Sequence, residues 1–559
     1  MSKKGEKRKI GFKIRWDFWS IITLIIFLLF VLFLIYPLFS LLMSSFKDPV
    51  TGEWSLINFN RFVTKKYYYQ GLFNSFSVTT CATLFAVLIG VPVAYFMTCY
   101  KVKLKRLVEI LIIISMLSPP FIGAYSWVIL CGRSGVVTQF FNQALGIQTP
   151  TIYGFNGIVL VFTLKLYSFI YLYVSGALKK IDVSLSEAAE SLGCSTVKKV
   201  VTVILPLILP TLLSGALLVF MNALADFGTP MLIGEGYNVM PVLIYSEFVG
   251  EMGGNGNFAA AMATIMVFIT AVLFLGQKYI VNRKSFVMSS LHPIKPKTLK
   301  GYKSFFMHLF IYLIVFLSII PQLTVIYTSF LKTKGSMFVS EFSFDSYTKV
   351  FNKLGDSISH TYIFGGIAII IIILLGMFIA YLSTRRRNMI TGFIDTVTMF
   401  PYIIPGSVIG ITLLLAFNSK PFILSGTAMI IIVAFVIRRL PYTLRSSSAI
   451  LYQISPSMEE ASISLGYSPV KTFFKVTAMM MLPGVLSGAI LSWITVINEL
   501  SSSVILYTGS TRTMSVAIYT EVIRASYGTA AALSTILTFT TVISLLIFFK
   551  LSGRKEVSL

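Results

Sequence analysis

The sequence predicts an all-α integral membrane protein whose 12 transmembrane helices form two parallel six-helix repeats. Composition gives the class. With 56% hydrophobic and 12% charged residues over 559 positions, and a mean hydropathy of +0.84, the chain has too little polar surface for a soluble domain. Length gives the element: about 20 apolar residues cross a hydrocarbon core of about 30 Å as a helix, and the run 21–43 does so without a charge. Repetition gives the architecture. The stretch LSEAAESLGCSTVKKVVTVILPLILP at 185–210 returns as MEEASISLGYSPVKTFFKVTAMMMLP at 458–483.

The chain opens with a basic tail, 1–20, containing KKGEKRKIGFKIR. A secretory signal has a shorter apolar region and a small-residue cleavage site, so an uncleaved first span is expected. Apolar runs place spans at 21–45, 74–98, 109–131, 155–178, 208–232 and 258–281, which make a first repeat, 21–281. A basic linker at 282–304 follows. Spans at 305–330, 361–384, 393–417, 424–447, 484–507 and 529–550 make a second repeat, 305–550, before a tail at 551–559. Basic residues mark the cytoplasmic side. KVKLKR at 101–106, NRKS at 282–285, Lys295, Lys297, Lys300, Lys303 and RRR at 385–387 all fall on the side of the N-terminus, so both termini are expected there. The opposite loop, 234–257, carries Glu235, Glu247 and Glu251 and no Lys or Arg. The net charge of +25 is then a topology signal that also favours anionic lipid. It does not indicate nucleic-acid binding, because no basic domain lies outside the membrane.

Covalent chemistry is not expected of this chain. Cys81, Cys99, Cys131 and Cys194 have no CxxC spacing, and His292, His308 and His360 are scattered. GxxxxGK[ST], GxSxG and HExxH are all missing from the sequence.

The two copies keep a constant offset of 273 residues, the separation of Glu187 from Glu460. Leu178 pairs with Leu451, Ala188 with Ala461, Gly193 with Gly466, Lys198 with Lys471 and Pro210 with Pro483. After one residue of slippage, Tyr245 and Glu247 pair with Tyr519 and Glu521. Six spans per half give both halves one orientation, unlike the inverted repeats of many secondary transporters. Each copy lies between the fourth and fifth spans of its half. Ser184 with Glu187, and Ser457 with Glu460, have the spacing of a capping box, and Gly193 and Gly466 stand where a left-handed residue would end the helix. A two-turn helix is expected in each, with Ala188, Ala189, Ala461 and Ser462 small enough to pack closely against a partner.

The pattern EAA, three residues, Gly, nine residues, then hydrophobic-x-Leu-Pro resembles the EAA loop of permease subunits in binding-protein-dependent ABC importers. The first copy fits it as EAAESLG with VILP at 203–206; in the second, Ser462 replaces an Ala and VTAM at 476–479 replaces the ending. The resemblance spans essentially the whole chain and implies the type I ABC importer permease fold. It also implies that Glu187, Ala188, Ala189, Gly193, Glu460, Ala461, Ser462 and Gly466 belong to coupling helices, each docking one of two copies of a cytoplasmic ATPase. ATP and Mg would then reside on those partners, with no cofactor on this chain, and an extracytoplasmic binding protein would deliver cargo. The fused twelve-span layout, LSPPFIGAYSWVIL at 117–130 and MFPYIIPGSVIGITLLLAF at 399–417 look like the ferric-iron group, with polyamine and phosphonate permeases close by. A bacterial cytoplasmic membrane is implied.

Charged residues within spans are costly and mark pathways or internal pairs. Asp226 and Glu499 each follow the proline of their copy by 16 residues, about 24 Å along a helix. Lys165 and Arg438, at the same mutual offset, are expected at similar depth. Two readings stand at this point: the carboxylates attract a hard cation or polyamine, or the cations neutralise them. Glu247, Glu251 and Glu521 are placed on the outer side as binding-protein contacts. Pro119, Pro120, Pro401 and Pro405 are expected to kink the third and ninth spans, and Tyr125 and Trp127 to sit in an interfacial aromatic belt. A second class of function, an ion-coupled secondary transporter with Asp226 and Glu499 as ion sites, remains open.

Overall fold

The computed structural model describes residues 17–117, 120–144, 146–147, 150–250, 254–283, 296–335 and 337–552. Among these, nine helices are long and apolar enough to cross a membrane: Phe18–Ser45, Lys66–Cys99, Phe155–Leu178, Val200–Ala225, Gly256–Gly276, Gly301–Ser329, Asp345–Arg385, Pro469–Ile497 and Tyr527–Phe548. A further pair of helices is long and apolar enough only when taken together. Met389–Ile403 and Gly406–Ala416 meet at a bend of 114°, where Pro405 takes an extended conformation as the N-cap of the second segment. The third and tenth expected spans are occupied by Lys105–Leu117 with Pro120–Cys131, and by Ala428–Gln453. The last of these carries Arg438, Arg439 and Arg445 and is the least apolar. Pro119 lies outside the described residues.

The repeat extends to the level of single turns. Helices Val183–Ser191 and Pro456–Ser464 begin and end at equivalent residues, as do the wide π-helical turns Val200–Ile204 and Phe473–Thr477. Pro206 follows the first π turn and Met479 occupies the matching place after the second, so proline alone does not account for the wide turn. Ser214 and Ser487 each donate a hydroxyl to the carbonyl of the preceding repeat proline, Pro210 at 2.9 Å and Pro483 at 2.8 Å. In hydrocarbon such back-bonding satisfies a hydroxyl that has no water to meet.

The two repeats exchange their first helices. In Phe18–Ser45, Trp19 packs its ring 4.5 Å from Tyr381 and 5.0 Å from Phe473, and the Tyr36 hydroxyl donates to the Ala416 carbonyl at 3.4 Å. Reciprocally, Gly301–Ser329 lies on the first repeat, with the Ser318 hydroxyl 3.2 Å from that of Tyr167. One buried apolar cluster therefore mixes Trp19 and Leu41 with Ile379 and Val485, while another mixes Val93 and Ile170 with Met307 and Ile311.

Several elements were not anticipated. A two-stranded antiparallel hairpin, Leu331–Lys334 with Met337–Phe342, follows Gly301–Ser329. Two short apolar helices, Met240–Val249 and Met514–Ile523, fold back into the bundle where the sequence suggested outer loops. Their starts are held alike, Met240 N–H donating to Ser75 Oγ at 2.8 Å and Met514 N–H to Thr361 Oγ1 at 2.7 Å.

Because Trp19 anchors the exchanged first helix in a fully packed aromatic site, Trp19→Ala is expected to destabilise the protein by about 3 kcal/mol. SDS-titrated unfolding of the purified chain checks this; Phe18→Ala, at an exposed neighbour, should change little.

Candidate functional site

The matched helices Val183–Ser191 and Pro456–Ser464 present equivalent exposed faces. Their N-termini correct the sequence reading. The cap is Asp182, whose Oδ1 accepts from Ser184 N–H at 2.9 Å, and in the second copy Ser455, whose Oγ accepts from Ser457 N–H at 3.3 Å. Each cap thus stands two residues before the expected one, because a better-placed acceptor stands there, and Ser184 and Ser457 fall within the first turn. The C-termini are as expected. Gly193 and Gly466 adopt φ of 78° and 92°, with Cys194 N–H donating to the Ala189 carbonyl and Tyr467 N–H to the Ser462 carbonyl, the double-bonded end that a left-handed glycine permits.

Glu187 and Ala188, like Glu460 and Ala461, face solvent, whereas Ala189 and Ser462 turn inward. The Ser462 hydroxyl lies 3.0 Å from that of Thr472, so only one small residue of each pair can meet a partner. Beside them stand Leu192 and Leu465, equivalent leucines that are 85% and 81% exposed.

Beneath the helices the anchoring differs. Glu190 pairs with Lys199 and, at 3.5 Å, with Lys297. The Lys199 hydrogen bond, then the charges of Lys199 and Lys297, hold its carboxyl below the usual carboxylate range. Lys297 is itself tied to the end of Lys66–Cys99, its N–H donating to the Cys99 carbonyl at 2.9 Å. In the second copy Glu459 receives Arg385 Nε at 3.0 Å and the Tyr381 hydroxyl at 3.3 Å, and Arg385 also donates to the Ile454 carbonyl at 2.6 Å. Glu190 and Glu459 are not equivalent positions, so the repeat alignment gave no signal for either.

Deeper in the bundle, the helices containing Pro210 and Pro483 stop at Ala225 and Ile497, and Asp226 and Glu499 stand just past their ends rather than within the spans. Each carboxylate caps the chain that follows. Asp226 Oδ1 accepts from Thr229 N–H at 2.9 Å and Glu499 Oε1 from Ser502 N–H at 3.2 Å, again at equivalent positions. Each also meets cations. Lys165 Nζ is 3.7 Å from Asp226, and Glu499 is gripped by Arg438 on one oxygen and Arg439 on the other. Arg439 was missed from sequence, although the adjacent Arg438 and Arg439 stand where the first repeat has Lys165 and Leu166. The first cluster balances its charge, while the second carries one surplus positive charge. Among the described residues, no group of three or more His, Cys, Asp or Glu comes together as a metal site.

Aromatic residues close the space between the repeats. Phe227, directly after Asp226, packs 4.8 Å from Tyr245 and 6.3 Å from Tyr519. Tyr125 is buried with its ring 5.4 Å from Tyr527, and Trp127 is buried too. The belt expectation for these two fails because helix Pro120–Cys131 packs against other helices, not lipid. Glu247 is occupied by the Tyr68 hydroxyl at 2.7 Å and by Arg61 at 3.8 Å, and Glu521 is buried. Neither is a free outer acid. Glu251 lies outside the described residues.

Compared with known proteins, residues 86–286 and 372–555 match the family described as "Binding-protein-dependent transport system inner membrane component". The chain belongs to this family. It is therefore a multi-pass membrane permease subunit of an ABC importer, without catalytic activity of its own, working with a separate ATPase and a binding protein. Similar relatives include the ferric transport system permease protein FbpB of Actinobacillus pleuropneumoniae, 28% identical over 498 residues, 88% of this chain and 72% of that one. The putative ferric transport system permease protein FbpB 1 of Haemophilus influenzae is 27% identical over 460 residues, 81% of this chain and 72% of that one. The spermidine/putrescine transport system permease protein PotB of Escherichia coli is 27% identical over 189 residues, 34% of this chain and 68% of that one. Among solved structures, a bacterial ABC transporter importing the polysaccharide alginate aligns with a TM-score of 0.39 at 18% identity, over 46% of this chain and 92% of that one.

Removing one partner from a buried ion cluster leaves charge uncompensated, at a cost of about 3–5 kcal/mol. Glu499→Gln strands Arg438 and Arg439 together and should reach the upper part of that range. Asp226→Asn strands only Lys165 and should cost less. Unfolding of the two variants side by side checks the order.

Proposed function

We propose that this permease imports ferric iron, with the linker side of the bundle in the cytoplasm and one ATPase subunit docked on each of helices Val183–Ser191 and Pro456–Ser464. The observation that carries the proposal is the pair of equivalent exposed faces, Glu187, Ala188 and Leu192 in one repeat and Glu460, Ala461 and Leu465 in the other. ATP and Mg belong to the partners. The arrangement of Lys and Arg in the short loops supports the orientation, with both termini cytoplasmic.

The mechanism is alternating access. A binding protein delivers cargo to the outer face; ATP-driven approach of two ATPase subunits moves the two helices; the repeats rock, and the contact of Phe227 with Tyr245 and Tyr519 opens. The acid anchors Glu190 and Glu459 transmit the movement, since each ties its helix to basic residues elsewhere in the bundle. In this reading Asp226, Glu499, Lys165 and Arg438 are internal ion pairs that hold the helix breaks. Their acids are already neutralised, which argues against a bare ferric site there and leaves cargo choice to the binding protein. The names of the relatives that cover most of this chain support iron. The polyamine relative covers about a third of it.

Transport by proteoliposomes containing the chain with its co-purified ATPase and binding protein tests the proposal. ATP-dependent uptake of ferric iron, but not spermidine or aminoethylphosphonate, is expected, and Glu187→Ala/Glu460→Ala should abolish it. Uptake of another of these cargoes would remove iron and leave the importer; uptake driven by an ion gradient without ATP and indifferent to the double variant would remove both.

A further inference from the structure

At the end of the bundle opposite the coupling helices, the second repeat holds a cavity of about 410 Å³ lined by Lys349, Lys353, Arg512 and Arg524, together with Glu521, Thr333, Ser526 and Thr529. This volume lies within the usual range for small-ligand sites. Four cations face one carboxylate. Arg524 lies 3.9 Å from Glu521, while Lys349, Lys353 and Arg512 form no ion pair among the described residues. The buried Nε of Arg512 also has no hydrogen-bond partner.

The first repeat shows what the cavity replaces. The matched bonds from Met240 to Ser75 and from Met514 to Thr361 set Tyr68 opposite Leu354. The matched bonds from Ala259 N–H to the Asn255 carbonyl and from Ala530 N–H to the Ser526 carbonyl set Phe258 opposite Thr529. In the first repeat Arg61 stacks 4.2 Å over the Phe258 ring, Tyr68 packs 4.7 Å from it, and Glu247 accepts the Tyr68 hydroxyl and is neutralised by Arg61. Acid, cation and aromatic plug there complete one another. In the second repeat Glu521 remains, but the plug has become Leu354 and Thr529, and cations have accumulated in the space that is left.

We propose that this cavity binds a small polyvalent oxyanion of the phosphate or polycarboxylate type. Clustered like charges repel one another, and the fold supplies one carboxylate against four cations, so the compensating charge comes from solution. Two guanidinium groups suit the planar or tetrahedral oxygens of such an anion, which they bind through paired N–H donors. The hydroxyls of Thr333, Ser526 and Thr529 add neutral donors. A cation or an apolar ligand would find neither charge nor surface to suit it. The inference is independent of cargo and of transport direction.

Calorimetric titration of the full chain in lipid nanodiscs with inorganic phosphate and with citrate, at constant ionic strength, tests it. One saturable site is expected, with citrate the tighter ligand. Lys353→Gln/Arg512→Gln should weaken binding by about tenfold or more. Thr529→Phe, which restores the plug of the first repeat, should abolish it. Glu521→Gln, which removes the opposing charge, should tighten binding several-fold, a gain that a merely structural role would not produce. Lys353 is exposed, so Lys353→Gln alone serves as a folded variant should the others unfold. Absence of saturable binding by the parent chain would overturn the proposal. So would binding unaffected by Lys353→Gln and Thr529→Phe. Loss of binding-protein docking in the same variants, with anion affinity intact, would assign the cations to acidic side chains of that partner instead.

Discussion

A helix that stops inside a membrane leaves peptide groups without partners, and two of the stops in this protein, after Ala225 and Ile497, lie at matching places in the two repeats. Asp226 and Glu499 resolve them. Each carboxylate accepts a backbone N–H of the chain that follows, from Thr229 or Ser502, and is itself held by Lys165 or by Arg438 and Arg439. A cap alone would bury a charge and an ion pair alone would leave the break open. Together they let the chain turn and send Met240–Val249 and Met514–Ile523 back into the bundle, where Tyr245 and Tyr519 meet Phe227 between the repeats.

The same duplication makes the two ends of the molecule work differently. At helices Val183–Ser191 and Pro456–Ser464 the exposed Glu187, Ala188 and Leu192 are matched by Glu460, Ala461 and Leu465, while the anchors diverge, through Glu190 in one repeat and Glu459 in the other. That pattern suits the proposed docking of two copies of one partner on two non-identical halves. At the opposite end the repeats have drifted further. Phe258 and Tyr68 seal one site, and Thr529 and Leu354 leave the other open.

Much of this was legible in residue type and spacing. The apolar runs located the long helices, and the repeat located the matched short helices Val183–Ser191 and Pro456–Ser464, with Gly193 and Gly466 at their ends. Hidden features were those that depend on several acceptors competing or on contacts between distant segments. Ser184 and Ser457 had the spacing of caps, yet Asp182 and Ser455 are reached first. Trp127 and Tyr125 looked like interfacial aromatics, since hydropathy does not say whether a helix neighbour is lipid or protein. Glu499 could be matched to Arg438 by offset, but its second grip, Arg439, has no counterpart in the first repeat and so left no repeated signal. The exchange of first helices, the hairpin at 331–342 and the basic cavity likewise arise from tertiary packing.

The central claim is that one chain carries two equivalent docking helices. The native mass of the chain co-purified with its ATPase tests it most directly. One chain with two ATPase copies is predicted, falling to one copy with either Leu192→Asp or Leu465→Asp and to none with both. A single ATPase on the parent chain, or a variant at one helix that releases both copies, would contradict it.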